Sequence, residues 1–275
     1  MKYRFIFAIA FSFAADLYAE HDGKIQILLL GDSTTEAKFP KLLAPNEPQL
    51  EDIIRILLAS EADLPPTNVI NLGLSGEFIR RLLDSGRYER EASKIPGLDY
   101  IVIRYGLNDA AKITDFDSAF PRDFHELIAR LHKDHPGATL IPMTVIPMSA
   151  DLKADEQNAR RINDLVRRVA NDEKLSIFDI YPRYATEQAK GANMLNYRRF
   201  PLAKIPEKYR EFVKPFVIGG KDPAVVVLDN RLDAHFGNLE GWFGDRHPNL
   251  AGYHVIADET AKFLAPLIRE RAQKK

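Results

Sequence analysis

Short, nearly unbroken apolar runs alternate along the chain with stretches in which apolar residues recur every three or four positions. The runs are Ile25–Leu30 (IQILLL), Val69–Leu72, Tyr100–Tyr105 (YIVIRY), Thr139–Val145 and Leu175–Ile180. They have strand length and show little of the polar alternation of a strand with one wet face. Between them, Leu50–Ser60 puts Ile53, Ile54, Leu57 and Leu58 on one helical face, and Ile79–Leu83 opens a helix. Phe120–His135 aligns Phe124, Leu127, Ile128 and Leu131, and Asp155–Asp172 aligns Ile162, Leu165, Val166 and Val169. A last helix over Leu250–Gln273 turns Val255, Ile256, Phe263, Leu264 and Leu267 inward.

Strands buried on both faces and separated by helices specify a parallel sheet covered on either side. Right-handed crossovers leave few topologies. The pattern predicts a flavodoxin-like three-layer α/β/α sandwich with a five-stranded parallel sheet ordered 2-1-3-4-5, whose ligand crevice opens at the carboxyl ends of strands 1 and 3. Residues 181–244 interrupt the alternation. They carry Pro182, Pro201, Pro206, Pro215 and Pro223, many aromatics, the Gly219-Gly220 pair and one short strand, Ala224–Leu228. This reads as a long insertion before the last helix, folded over the crevice within a single domain spanning 20–275.

The amino terminus changes the picture of where the chain works. Lys2 and Arg4 precede an apolar run from Phe5 to Ala15, and small residues follow to Ala19. This is the pattern of a secretory signal peptide over residues 1–19, too short to span a bilayer comfortably. The expected location is secreted or periplasmic, with no stable membrane insertion after cleavage. Cleavage removes Lys2 and Arg4 from 38 basic residues and Asp16 from 39 acidic ones, leaving 36 and 38. A nearly neutral chain has no electrostatic footprint for nucleic acid. It has no cysteine, which excludes disulfides, thiolate catalysis and cysteine-held metals. Its size suffices for a core that needs no such staples.

Candidate chemistry collects at strand ends. Strand 1 runs into Gly31-Asp32-Ser33-Thr34, where glycine permits a sharp turn and Ser33 falls beside N–H groups able to face an oxyanion. Strand 2 runs into Asn71-Leu72-Gly73-Leu74-Ser75-Gly76, and strand 3 into Gly106-Leu107-Asn108-Asp109. Both ends line the same crevice. Asp245-Arg246-His247-Pro248-Asn249 precedes the last helix. Each also has a purely structural reading: Ser33 as a helix cap, Gly76 as a turn glycine, Asn108-Asp109 as a helix start, His247 as a loop residue. One crevice with all four types favours catalysis.

These four blocks resemble the SGNH, or GDSL, hydrolase family over nearly the whole mature chain except the insertion. Gly31-Asp32-Ser33 is similar to its nucleophile block, Gly76 to the glycine of the second, Gly106-x-Asn108-Asp109 to the third, and His247-Pro248-Asn249 with Gly252-Tyr253 to the last. The resemblance implies that Ser33 attacks an acyl carbonyl and His247 is the general base. It also implies an oxyanion hole from the N–H groups of Ser33 and Gly76 and the Asn108 amide. The family's usual acid three residues before the histidine is here Gly244, and the aspartate is Asp245, two before it. Either Asp245 reaches the imidazole through a tighter loop, or a backbone carbonyl orients His247 in a Ser–His dyad.

Other features carry less. Asp32 and Asp109 read as structural. Asp229, Asp233 and His235 read as an acidic loop rather than a metal site, and no metal or cofactor is expected. His132 and His135 at a helix end read as exposed. Arg80, Arg81, Arg87 and Arg90 read as a solvated helix face, with contact to an acidic substrate as the alternative. Trp242 and Phe243, nearest in sequence to His247, are the expected substrate-binding aromatics. Together with the resemblance, they imply a secreted esterase acting on small acyl, chiefly acetyl, esters of carbohydrates. The rivals are a lysophospholipase or thioesterase on longer chains, and a non-catalytic glycan-binding module. The sequence is silent on oligomeric state. Intact mass or N-terminal sequencing of the exported protein should place its first residue at Glu20. A mature chain that keeps Met1 to Ala19 would contradict the signal peptide.

Overall fold

The computed structural model describes residues 23–148, 152–191 and 193–274. The signal peptide expected at 1–19 lies outside them. Strand β1 (Ile25–Gly31) leads into two short helices, α1 (Ser33–Glu36) and α2 (Lys38–Leu43), and then α3 (Leu50–Ala59). Strand β2 (Thr67–Asn71) precedes α4 (Ile79–Asp84) and α5 (Arg87–Arg90). Strand β3 (Tyr100–Arg104) precedes α6 (Leu107–Lys112) and α7 (Phe116–Asp134), and β4 (Thr139–Pro142) precedes α8 (Leu152–Asp172).

The four strands form a parallel sheet ordered β2-β1-β3-β4. The period of two divides its side chains between two cores. Leu28, Leu30, Ile101 and Ile103 face α4, α7 and α8, burying against Leu82, Leu127, Ile162 and Val166. Ile27, Leu29, Tyr100 and Val102 face the opposite layer, burying against Ile54 of α3 and Ile256 and Leu264 of α12 (Leu250–Gln273). The α/β/α class therefore holds.

The expected fifth strand, Leu175–Ile180, is reduced to one parallel bridge between Met143 and Phe178. Phe178 N donates to Pro142 O at 2.9 Å and Thr144 N to Phe178 O at 3.0 Å. Beyond that point the Thr144 hydroxyl replaces the backbone as partner. It donates to Asp179 Oδ1 at 2.8 Å and accepts from Ile180 N at 3.0 Å and Tyr181 N at 3.3 Å. A side chain that captures two successive N–H groups ends a ladder, and on the β4 side the Asn163 amide takes the N–H and carbonyl of Val145, at 2.8 and 3.3 Å.

The segment 181–244 opens with α9 (Tyr181–Lys190) and continues into β5 (Arg198–Pro201), α10 (Arg210–Val213), β6 (Val217–Ile218), β7 (Ala224–Val227) and α11 (Asp233–Phe236). Its strands form an antiparallel sheet ordered β5-β7-β6 over its own apolar cluster, with Phe200, Val225, Val227, Phe236 and Trp242 at the centre. Among the described residues no helix is long and apolar enough to cross a membrane.

Two expectations about polar residues are corrected by packing. His135 is buried with Nε2 3.0 Å from Ala92 O, and burial lowers its pKa. Arg87 is buried too, and its partners belong to the site described below.

Gly106, between β3 and α6, has φ +133, and a β-carbon there would stand 2.4 Å from Ile162 Cγ2 of α8. Gly106→Ala should therefore cost about 2–4 kcal/mol from backbone strain plus overpacking, read as a lowered urea midpoint at unchanged m.

Candidate active site

The loop that carries Ser33 is built from below. Asp32 caps α1, its Oδ1 accepting from Thr34 N at 2.9 Å and from the Thr34 hydroxyl at 2.8 Å. Ser33 is thus the first helical residue rather than the cap, and its N–H has no carbonyl to bind within the helix. Beneath the loop lies Arg104, fully buried, whose Nη2 donates to Thr34 O and, at 3.2 Å, to Thr35 Oγ1. Burial lowers its pKa while the nearby Asp32 charge opposes that shift.

Ser33 Oγ lies 2.8 Å from His247 Nε2, though the two are separated by 214 positions in the chain. His247 Nδ1 lies 2.6 Å from Asp245 Oδ1. The same Oδ1 accepts from His247 N at 3.0 Å. Asp245 thus bonds the backbone two residues on, a turn that points carboxylate and imidazole the same way. This is how an aspartate two residues before the histidine reaches the imidazole. Burial pushes the Asp245 carboxyl up, but hydrogen bonds from His247 and the charges of His247 and Arg199 outweigh it and hold the group below its ordinary value. A carboxylate has no proton to give, so Nδ1 carries the hydrogen and Nε2 is left to accept from the Ser33 hydroxyl. On its far side, Asp245 Oδ2 is 2.7 Å from Arg199 Nε, an ion pair without the in-line geometry of a hydrogen bond.

The insertion holds the histidine loop. Asn196 and Pro248 form an antiparallel bridge, and Tyr197 N donates to His247 O at 3.2 Å. Asn196 Nδ2 donates to Arg246 O. The Tyr197 ring stacks on the imidazole at 5.6 Å between centroids and 14° between planes. Asn249 caps α12 by accepting from Gly252 N at 3.0 Å and donates through Nδ2 to Met194 O at 2.8 Å. No periodicity announces Asn196, Tyr197 or Arg199, because their role exists only once β5 lies beside the residue-248 segment.

Gly76 and Asn108 stand in the same cleft as Ser33 and His247, a cavity of about 230 Å³ also lined by Phe39, Tyr197 and Tyr253. Gly76 has φ +75, and its carbonyl accepts from Lys112 Nζ and from Arg81 Nη1 at 3.5 Å. Asn108 Nδ2 donates to Glu77 O at 3.0 Å, which fixes the amide's orientation and leaves its second N–H to give. Asp109 ties the two loops together, Oδ1 accepting from Ile79 N at 3.0 Å and Oδ2 from Gly106 N at 3.1 Å. Burial pushes its carboxyl up to about 7. Below Gly76 the buried Glu77 Oε2 meets Arg87 Nη1 at 2.6 Å and accepts from Tyr105 Oη at 2.7 Å, while Arg87 Nη2 donates to Leu72 O at 2.7 Å. The expected solvated arginine is therefore an anchor of this loop.

The expected substrate aromatics lie elsewhere. Trp242 is wholly buried between Phe200 and Phe236, at 5.4 and 5.2 Å, and its indole N–H donates to Asp233 Oδ1 at 2.8 Å. Phe243 packs on the same cluster under the Arg198 guanidinium, 5.1 Å away. Nearness in sequence to His247 misled because that chain segment first crosses the insertion's core. Asp229 pairs with Arg231 and Asp233 with Arg198. Among the described residues no three histidines, aspartates or glutamates converge as metal ligands.

Comparison with known proteins adds three findings. A sequence model of the GDSL-like Lipase/Acylhydrolase family matches residues 29–202, which include Ser33, Gly76 and Asn108 but stop before His247. No curated protein matches the chain. Among solved structures, LAE5, an alpha/beta hydrolase enzyme from the metagenome of Lake Arreo, is 19% identical with TM-score 0.55, covering 88% of this chain and 94% of that one. A lipolytic protein of the G-D-S-L family from Veillonella parvula is 15% identical with TM-score 0.51, over 86% and 97% of the two chains. A catalytic mutant of Axe2, an acetylxylan esterase from Geobacillus stearothermophilus, is 16% identical with TM-score 0.54, over 87% and 94%. At such identities these likenesses bear on the fold.

Arg87→Ala would strand Glu77 in the core beneath Gly76. It should cost about 3–5 kcal/mol, measured as the shift in denaturant midpoint, a far larger loss than for an exposed arginine such as Arg55.

Proposed function

Because the chain belongs to the GDSL-like lipase/acylhydrolase family and is a serine ester hydrolase, we propose that Ser33, His247 and Asp245 form its catalytic triad and that its substrates are small acyl esters, chiefly acetyl esters of carbohydrates. The observation that carries this reading is the unbroken relay from Ser33 Oγ to His247 Nε2 at 2.8 Å and from Nδ1 to Asp245 Oδ1 at 2.6 Å, opening into the cleft that holds Gly76 and Asn108.

In the first half-reaction Ser33 Oγ adds to the ester carbonyl as its proton passes to His247 Nε2. Asp245 stabilises the imidazolium through the Nδ1–H bond without taking the proton. The carbonyl oxygen, now negative, receives the N–H groups of Ser33 and Gly76 and the Nδ2–H of Asn108. Collapse breaks the bond to the alcohol, which leaves with the proton from Nε2. Water then repeats the sequence on the acyl-enzyme, giving up a proton to Nε2 and releasing the acid and free Ser33.

The cleft's modest size favours a short acyl group. The adjoining hollow sets the charges of Arg199, Asp222 and Asp245 among Pro201, Pro223 and Ala224, and those charges weigh against a long fatty chain and the lysophospholipase alternative. An intact relay weighs against a binding-only module. Half-buried Phe39 supplies an aromatic ring with polar neighbours, the surface that carbohydrate uses, while buried Tyr197 and Tyr253 back the His247 ring and the Ser33 loop. The acetylxylan esterase among the proteins sharing this fold is in keeping with that class. The signal-like residues 1–19 support action outside the cytoplasm.

Turnover on a series of nitrophenyl esters should fall steeply beyond the shortest acyl groups, and acetate should be released from acetylated glycans. Ser33→Ala should abolish both activities. Asn108→Ala should lower kcat by about 10²–10³ with little change in KM. A preference for long chains with no acetate release would instead select the lysophospholipase alternative.

A further inference from the structure

The chain has 38 basic and 39 acidic residues, so a surface taken at random is close to balanced. The catalytic cleft is not. Its lining includes two cations, Lys38 and Arg199, and no carboxylate. Two more cations, Lys112 and Arg81, meet at the carbonyl of Gly76, another residue of this lining. Of the carboxylates nearby, Glu36 and Asp245 are engaged, and a third, Asp222, lines the adjoining hollow beside Arg199 but not the cleft. Glu36 accepts from Ser75 N at 2.6 Å and from the Ser75 hydroxyl, and Asp245 lies behind His247.

Arg199 and Lys38 line the same cleft. The Arg199 guanidinium carbon sits 5.8 Å from the centroid of Phe39, the residue after Lys38. Arg199 commits its Nε edge to Asp245, and its side chain is 46% exposed. The Nη edge is a planar fork suited to two oxygens of one anion. Arg199 also borders the second hollow of about 440 Å³, so a ligand leaving the cleft on that side passes this fork.

We propose that Lys38 and Arg199 form an anion subsite that receives a carboxylate or sulfate on the alcohol portion of the ester, making the substrate an acylated acidic sugar. The inference rests on the esterase function above. An acetyl group carries no charge, so the anion belongs to the leaving alcohol. Lys38 acts as a mobile point charge and Arg199 as the directional partner. Occupation of the Nη edge leaves the Nε contact with Asp245 in place, so substrate binding and orientation of the relay share one residue.

The test compares the wild-type enzyme on an acetylated methyl glucoside, the matching methyl glucuronoside and a sulfated methyl glucoside, with nitrophenyl acetate as the reference without an anion. At low salt kcat/KM should be about tenfold higher for at least one anionic sugar than for the neutral one, and added NaCl should erase the difference. The better of the two anionic arms identifies the anion. Lys38→Gln should raise KM for that sugar by roughly five- to tenfold and leave nitrophenyl acetate unchanged, with Lys38→Arg restoring most of the loss. Equal kcat/KM for charged and neutral sugars at low salt overturns the anion subsite while the esterase assignment stands. So does a Lys38→Gln defect of the same size on every substrate. Absence of turnover on nitrophenyl acetate and all three sugars would overturn the esterase assignment itself.

Discussion

One carboxylate oxygen governs the geometry of this site. Asp245 Oδ1 accepts from the backbone N–H and from Nδ1 of the same histidine, His247. The first bond forms a tight turn, and the second sets the tautomer and aims Nε2 at Ser33. The two bonds require each other. Without the backbone bond an aspartate two residues away has no fixed approach to the ring. Without an acceptor at Nδ1 the ring nitrogen facing Ser33 would not be fixed as the basic one. The charge of Asp245 survives burial because His247 and Arg199 face it from two sides.

Two parts of the fold meet at this site. The parallel sheet delivers Ser33, Gly76 and Asn108 at the carboxyl ends of β1, β2 and β3, with buried Arg104, Glu77, Arg87 and Asp109 locking the loops from beneath. The segment after α9 supplies the other half. Asn196 and Tyr197 grip the histidine loop by main chain and ring, and Arg199 reaches Asp245. The small antiparallel sheet behind them has its own apolar cluster, which gives these residues a rigid base. It thereby works as a bracket for the relay and as one wall of the cleft.

The long periodic elements were legible in the chain. The last helix spans Leu250–Gln273 in both the sequence pattern and the structure, and Leu28 and Leu30 alternate with Ile27 and Leu29 between two cores as a doubly covered strand must. The Leu175–Ile180 run misled because hydrophobicity reports burial, and this segment is buried without being paired; the Thr144 hydroxyl took its N–H groups instead. Trp242 misled in the same way. Its closeness to His247 in sequence counted for less than the aromatic cluster that encloses it.

By itself the chain determined the layered class and the placement of Ser33, Gly76 and Asn108 after strands 1, 2 and 3 and of His247 before the last helix, because these positions depend on local periodicity and on residue type at a turn. That Asp245, rather than a backbone carbonyl, lies against His247 Nδ1 emerges only in three dimensions, as do the burial of Arg87 and the place of Arg199 beside Asp245. Each of these depends on contacts between segments far apart in sequence or on the direction of a side chain. Hydrogen bonds and charge pairing act over a few ångströms, and only the folded chain sets those separations.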